Sequence, residues 1–360
     1  MNIAENWELQ QAAVRAVQVC LAGVPFVRGM THIVEEEYRS QMVFLVALAP
    51  VGRRSYQRVL VAEVSASGQP RFARQASALL QRQDAERGAV LLFVAPYISD
   101  AAAAICREAG VNCLDFAGNC RFSFDGVFIE RQGYPNPHKR AVSRVGLYAP
   151  RAERVLRVLL RAPGRAWQVR GLASESGVSV GTVVDVRRLL LDREWLTADR
   201  AGVRLTQPAA LLGEWARQYD DRRNQAHDFY SLRSVAETES AVAGACREAG
   251  VAYGLTGFSG AARYAPFVRY PKASVYVADD IGAIAEAAKL KKVQSGANVT
   301  LLTPYDEGVF LGSAIVGADT VVSPLQVYLD LQSARTRGEE AAEHLYQQKI
   351  EPLWSTLDGR

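Results

Sequence analysis

Lysine is nearly missing from this chain, with six residues against 36 arginines. With 38 acidic residues the formal charge is only +4. That excludes a uniformly cationic molecule, so any surface for a polyanion must come from arginine gathered locally. Arginine forks onto phosphate and guanine in a way that lysine cannot, although a GC-rich genome produces the same bias. Cysteine is also sparse. Five residues, an odd number scattered over 360, exclude a disulfide framework. No CxxC pair occurs and the four histidines stand apart, which leaves no metal-ligand spacing. Cys106, Cys113 and Cys120 recur every seven residues and read as buried structural thiols, with Cys20 or Cys246 as the alternative place for a regulatory one. No apolar run reaches the roughly 18 to 20 residues that span a bilayer. Residues 1–18 carry Glu5 and Glu8 and lack a basic stretch followed by an apolar block. The expectation is a soluble, cytoplasmic protein with no membrane partner.

What is present is enough apolar side chain, 49 % of the sequence, to build two or three separate cores. Three segments follow from the patterning. Residues 1–140 open with an amphipathic helix carrying Trp7, Ala13, Val14, Val17 and Leu21. Strand-like runs then alternate with helical ones, namely 42–48, 59–64 and 89–94 with 71–83 and 101–109. A hairpin is expected across Asp125-Gly126. The stretch Tyr134-Pro135-Asn136-Pro137-His138-Lys139-Arg140 breaks regular structure and marks a boundary. Residues 141–222 are helical, with eleven arginines and six acids between Arg151 and Arg204, an excess of five. Residues 223–360 return to α/β alternation, with strands at 252–255, 273–277, 299–302 and 320–322 and a polar helix from Glu339 to Lys349. Cys106-Arg107-Glu108-Ala109-Gly110-Val111 recurs as Cys246-Arg247-Glu248-Ala249-Gly250-Val251. Each copy reads as a helix closed by a glycine that feeds a strand.

The middle segment has the spacing of a winged helix-turn-helix. A helix at Arg151–Arg161 carries Val155, Leu156, Leu159 and Leu160 and ends at Pro163-Gly164. A second, at 169–176, turns Leu172 and Ala173 inward and stops at Gly177. Ser179 is placed as the cap of a third helix running to about Glu194, with Val183, Val186 and Leu190 on its buried face. At about 100° per residue its outer face presents Gly181, Val184, Asp185, Arg188 and Asp192. Short strands flank Asp199-Arg200-Ala201-Gly202, a turn fit for a wing tip. Such a helix can enter the major groove with its free amides on a phosphate. The candidate DNA contacts are Gln168, Arg170, Ser179, Val180, Gly181, Thr182, Val184, Asp185, Arg187, Arg188, Arg200 and Arg204. Ser179 and Gly181 permit close approach. Arg187 and Arg188 reach base edges or backbone, and Arg200 reaches phosphate or the minor groove. Asp185 either accepts from cytosine or pairs with Arg188.

The run from Ser179-Val180-Gly181-Thr182-Val183 to Trp195-Leu196 resembles the winged helices of bacterial regulators. Tyr253-Gly254-Leu255-Thr256-Gly257, Ala261-Ala262-Arg263-Tyr264-Ala265-Pro266, Tyr328-Leu329-Asp330-Leu331 and Arg337-Gly338-Glu339-Glu340-Ala341-Ala342 resemble the carboxyl-terminal part of AbiEi-type antitoxins. The resemblance spans roughly the last 210 residues. It implies a winged helix joined to an α/β domain, repression of the protein's own operon, and a nucleotidyltransferase-type toxin as partner. The winged helix lies mid-chain here instead of at the amino terminus. Transferase chemistry needs two acids on alternate strand positions facing a metal ion. Gly257-Phe258-Ser259-Gly260 with adjacent Asp279 and Asp280 does not supply them and reads as a loop. The first segment resembles the PD-(D/E)XK nucleases: Val59-Leu60-Val61-Ala62-Glu63-Val64-Ser65 stands where that family places Glu-X-Lys, followed by Gln75. Ser65 replaces the lysine, and Glu35, Glu36 and Glu37 read as a solvated cluster, so cleavage is not expected. Asp115-Phe116-Ala117-Gly118-Asn119 reads as a strand-end turn in which Asn119 takes unusual angles.

The expectation is an α/β multidomain protein. A nuclease-like but inactive domain (1–140), a central winged helix-turn-helix (141–222) and a carboxyl-terminal α/β domain (223–360) act together as a homodimeric, sequence-specific DNA-binding repressor. Neither a cofactor nor a metal is expected. A metal-dependent nuclease guided by the winged helix, or an antitoxin, is the alternative.

Overall fold

The computed structural model describes residues 3–33, 41–52, 54–84, 88–137, 146–334 and 337–355. The Glu35–Glu37 cluster and the breaker residues 138–140 fall outside the described residues. The chain divides into two compact units, Met1–Val142 with Leu191–Glu194, and Ser143–Leu190 with Trp195–Arg360.

The first unit is a seven-stranded mixed sheet between helices. Helix α1 (Ile3–Ala22) precedes β1 (Val27–Ile33), β2 (Met42–Leu48) and β3 (Tyr56–Val64); α2 (Pro70–Asp84) leads to β4 (Val90–Ala95), and α3 (Asp100–Glu108) to β5 (Asn112–Asp115). The sheet closes with β6 (Cys120–Phe124) and β7 (Val127–Arg131), its spatial order following the chain. Strands β3, β4 and β5 run parallel and the other neighbours antiparallel. The parallel steps are those with a crossover helix, α2 or α3. Strand alternation sorts the core into two layers. Phe44, Leu60, Leu92 and Phe122 pack with Ala13, Val17 and Leu21 of α1. Val43, Val61, Phe93 and Cys113 pack with Ala73 and Leu80 of α2 and Ala102 and Cys106 of α3. The expected hairpin forms, with Asp125 and Gly126 both at positive φ. In the Asp115 turn the left-handed residue is Gly118 (φ 105°), not Asn119. The Asn119 side chain instead bonds the Asp115 carboxylate (2.9 Å) and the Tyr134 carbonyl (3.1 Å).

The second unit starts with α4 (Pro150–Arg161), α5 (Val169–Ser176), α6 (Val180–Asp192), β8 (Leu196–Asp199), β9 (Gly202–Leu205) and α7 (Pro208–Gln218). Helix α6 stops short of Glu194 because Glu194 takes the left-handed conformation (φ 59°), and the Trp195 amide closes the turn on the Leu190 carbonyl (2.9 Å). The α/β part adds β10 (Gln225–Tyr230), α8 (Val235–Ala249), β11 (Tyr253–Leu255), α9 (Gly257–Tyr264), β12 (Ala273–Val277), α10 (Ile281–Ala287), β13 (Lys291–Lys292), β14 (Val299–Thr303), β15 (Ala314–Val316) and β16 (Asp319–Val321). Helices α11 (Pro324–Gln332), α12 (Gly338–Leu345) and α13 (Glu351–Ser355) finish it, with one π-helical turn, Tyr346–Ile350, between the last two. The polar helix expected over Glu339–Lys349 is thus α12 plus that turn, and His344 is half-buried, stacked on Phe267 with ring centres 4.8 Å apart. The sheet order is β13-β10-β14-β12-β11-β16-β15.

The repeated hexapeptide has a common geometry. Gly110 and Gly250 adopt φ near 68°, and Val111 and Val251 each donate to the carbonyl of Cys106 and Cys246 (2.8 and 2.9 Å). Both copies are Schellman caps, with the cysteine buried as the contact that anchors the stop.

Candidate nucleic-acid interface

Helices α5 and α6 meet at a turn that the sequence builds from three residues. Gly177 (φ 62°) ends α5, and the Val178 amide caps the Ala173 carbonyl (3.1 Å). Ser179 then opens α6, its hydroxyl accepting the Thr182 amide (3.2 Å) and lying 3.0 Å from the Thr182 hydroxyl. This satisfies an amide that the first turn would otherwise leave open. Val183, Val186 and Leu190 are buried, as the helical spacing requires. The opposite face holds Gly181, Val184 and Arg188, all exposed, with Asp185 and Asp192 half-buried; exposed Val180 and half-buried Thr182 and Arg187 flank it. Val180 and Val184 are each 47 % exposed and the Arg188 side chain 65 %. A Cβ built on Gly181 would meet only the Ser179 hydroxyl, at 3.8 Å, so nothing inside the fold requires a glycine there. The Arg188 guanidinium is 3.8 Å from Asp185, a loose exposed pair of small worth.

The β8–β9 hairpin gains a third extended residue, Trp167, whose amide donates to the Val203 carbonyl (2.8 Å) and whose carbonyl accepts the Val203 amide (2.9 Å). Gly202 makes this approach feasible. A Cβ on it would lie 2.5 Å from the Trp167 carbonyl oxygen, and its φ of 134° is foreign to other residues. Gly202→Ala is therefore expected to lose about 2 kcal/mol of stability, read as a lower thermal midpoint of the full chain. Asp199 accepts the Ala201 and Gly202 amides (2.7 and 3.1 Å), and Gln168 donates its side-chain amide to the Ala201 carbonyl (2.8 Å). Gln168 thus braces the turn at whose tip exposed Arg200 stands, and exposed Arg170 lies on the first turn of α5.

The arginine excess counted along this segment is not all on that surface. Arg154 makes a bidentate pair with Asp306 (2.7 and 3.0 Å), and Arg157, 1 % exposed, lies over the Trp215 ring at 4.9 Å. Arg161, Arg165 and Arg204 line a cleft of about 1260 Å3 with Tyr346 and Trp354, and Arg204 also approaches Asp199 at 3.7 Å. Of the arginines counted there, Arg170, Arg187, Arg188 and Arg200 stand on α5, α6 and the hairpin tip.

Helix α4 explains where the other charges went. It shows its expected apolar residues, but Ala152, Glu153, Arg157 and Val158 are buried as well. Glu153 accepts from Arg223 (2.8 Å) and from the Tyr305 hydroxyl, while Trp354 of α13 donates to the Leu160 carbonyl (2.9 Å). The helix is packed on several sides because the α/β part of the same unit covers what would otherwise be its outer face.

A polar cluster escaped the sequence reading. Asp330 on α11 is half-buried and accepts from Tyr219 (2.7 Å), Gln326 (2.8 Å), Tyr276 (3.1 Å) and the Thr256 hydroxyl. Tyr219 caps the end of α7, so four donors from α7, α9's cap, β12 and α11 converge on one carboxylate. Burial outweighs the four hydrogen bonds and pushes its pKa up to about 6. The available signal was a lone Asp inside the apolar run Val327-Tyr328-Leu329-Asp330-Leu331, with Gln326 one helical turn earlier.

Two of the acids considered for chemistry serve local backbone structure. Asp280 caps α10 by accepting the Ala283 amide (3.1 Å), and Asp279 accepts the Asp280 amide (2.8 Å). Ser259 is buried and accepts the Ser274 amide (3.0 Å). Glu63 is half-buried at the end of β3, with its pKa raised by burial; Ser65 bonds the Ser67 carbonyl (3.0 Å), and Gln75 is exposed on α2. Among the described residues no three His, Cys, Asp or Glu side chains gather as a metal site, and no helix is long and apolar enough to cross a membrane.

Comparison with known proteins returned no match among curated proteins and none among solved structures. Residues 204–351 match a family described as transcriptional regulator, AbiEi antitoxin, of type IV toxin–antitoxin systems. From β9 through α12 and the π-helical turn after it, this chain is therefore similar to the transcriptional regulators of type IV toxin–antitoxin systems.

Proposed function

We propose that α5, α6 and the β8–β9 hairpin form a winged helix-turn-helix that binds double-stranded DNA, and that the chain represses transcription of its own operon. The observation that carries this reading is the outward face of α6. It combines an unneeded glycine, two exposed valines and an exposed arginine on a helix whose other side is fully packed. A solvated helix has no use for such a face, whereas a major groove does. Glycine admits a close backbone, valine meets thymine methyl groups, and arginine forks onto guanine. Arg200 at the wing tip and Arg170 on α5 supply phosphate contacts. We further propose a dimer that reads an inverted repeat, since two copies related by a twofold axis would present two such helices to successive grooves. The family description supports a toxin as protein partner.

The test is binding to the duplex upstream of the protein's own gene, measured by fluorescence anisotropy against a scrambled duplex and over a salt series. Specific binding that weakens steeply with salt is expected. Gly181→Ala should leave the thermal midpoint unchanged or slightly raised, because alanine favours helix. The same change should weaken specific binding roughly tenfold, since its methyl intrudes on the groove. Equal affinity for both duplexes, or no effect of Gly181→Ala on binding, would remove α6 as the reading element. The first unit we read as a non-catalytic scaffold. Plasmid incubated with Mg²⁺ or Mn²⁺ should stay intact, and cutting that Glu63→Ala abolishes would reverse that reading.

A further inference from the structure

Two of the five thiols face each other. Cys20 lies in the last turn of α1 and Cys120 begins β6, 100 residues further on, yet their sulfurs are 3.4 Å apart. Two independent patterns bring them together. Helical spacing buries Ala13, Val17 and Cys20 on one side of α1, and strand alternation puts Cys120 and Phe122 on the sheet face below it. A disulfide bond is about 2.0 Å long, so closing this pair needs movement on the order of 1 Å.

Both cysteines are almost fully buried, at 3 % and 4 % exposure, at the edges of two clefts. Cys20 borders a cleft of about 320 Å3 and Cys120 a second of about 370 Å3, and Arg131 lines both. Arg131 is also the β7 partner of Cys120 in the sheet register. The two thiols titrate unequally. The Cys20 thiol donates to the Cys120 sulfur, which with the Arg131 charge holds the Cys120 pKa below its ordinary value against burial and the opposing Asp115. Cys20 is raised by the same pairing and by burial. Of the two, Cys120 is the thiol that ionises more readily. By contrast, burial pushes Cys106 up to about 12 and Cys113 up to about 11, and Cys246 lies in the other unit.

We propose that Cys20 and Cys120 are an oxidisable pair, a modification site at which a hydroperoxide forms a reversible disulfide fastening α1 to the sheet. The Cys120 thiolate attacks the peroxide, breaking its O–O bond and leaving hydroxide (or alkoxide) and a sulfenic acid. The Cys20 thiol then attacks the Cys120 sulfur, the S–S bond forms, and the sulfenic oxygen leaves as water with the Cys20 proton. Two thiols lose two hydrogens and two electrons, and one peroxide is reduced.

The experiment uses the full chain, treated with hydrogen peroxide, denatured in N-ethylmaleimide and weighed intact. Three labelled thiols instead of five are expected, with peptide mapping joining the Cys20 and Cys120 peptides and dithiothreitol restoring all five labels. Because the closed loop is about 100 residues long, oxidation should raise the midpoint of the first unit's unfolding by roughly 10 °C. Cys106→Ser should still lose two labels on oxidation, whereas Cys20→Ser should lose none to a disulfide and should yield a sulfenic acid on Cys120 trapped by dimedone. Five labels after oxidation, or a link that does not join Cys20 to Cys120, would overturn the proposal. Should Cys20→Ser fail to fold, the wild-type peptide map still decides it.

Discussion

Asp330→Ala is expected to destabilise the second unit by about 3 to 5 kcal/mol, because removing a buried acceptor strands the donors aimed at it. Those donors are the hydroxyls of Tyr219, Tyr276 and Thr256 and the Gln326 amide. None can turn to water. The site also predicts an unusual pH profile. Asp330 holds its proton to about pH 6 when folded, against about 3.9 when unfolded. A carboxyl whose folded pKa is raised contributes its stability fully below the unfolded value. That contribution is lost as pH rises through the folded value. The separation corresponds to roughly 3 kcal/mol. Asp330→Asn removes the titration while keeping the shape. The stability gap between wild type and Asp330→Asn, from urea unfolding of the full chain, should therefore narrow by about that amount between pH 4 and pH 7. A gap that is constant or widens with pH would mean that the folded carboxyl is not raised.

Arg187→Ala combined with Arg188→Ala should cost roughly 30- to 1000-fold in affinity for the specific duplex, at about 1 to 2 kcal/mol per arginine. The folding penalty should be small. Arg188 is mostly solvated and makes only its loose pair with Asp185, so about 0.5 kcal/mol is the most it can lose. Arg187 is half-buried, and such a side chain can lose packing as well as charge on truncation. An affinity close to wild type, with an unchanged midpoint, would mean that α6 does not carry the contact. A parallel fall in affinity for scrambled DNA and in the salt slope would assign both residues to phosphate instead of bases.

Most helices of both units were readable because their apolar periodicity and stop signals are local. Gly177, Gly110 and Gly250 end helices where the pattern says they should. The strands that escaped reading have a physical reason in common. β1 is an edge strand that alternates Arg28, Gly29, Thr31 and His32 with few apolar residues. β10 carries His227 and Asp228, and β13 is only Lys291-Lys292. Each is held by its neighbours' hydrogen bonds, which no window of sequence contains. The candidate interface divides in the same way. Ser179, Gly181, Val184 and Arg188 were legible from helical phase. The count of arginines between 151 and 204 misled, since charge number says nothing of whether Arg154 meets Asp306 152 residues away.

The sequence by itself determined where α5 ends and α6 begins, which face of α6 is packed and which is free, and that a tight turn falls at Asp199 to Gly202. Those are matters of local phase, capping and backbone freedom. Only the tertiary structure decided which arginines are tied up in ion pairs, that Gln168 braces the β8–β9 hairpin, that Asp330 gathers four donors, and that Cys20 meets Cys120. Each of these depends on side chains brought together from distant parts of the chain, and their burial sets both their charge and their reactivity.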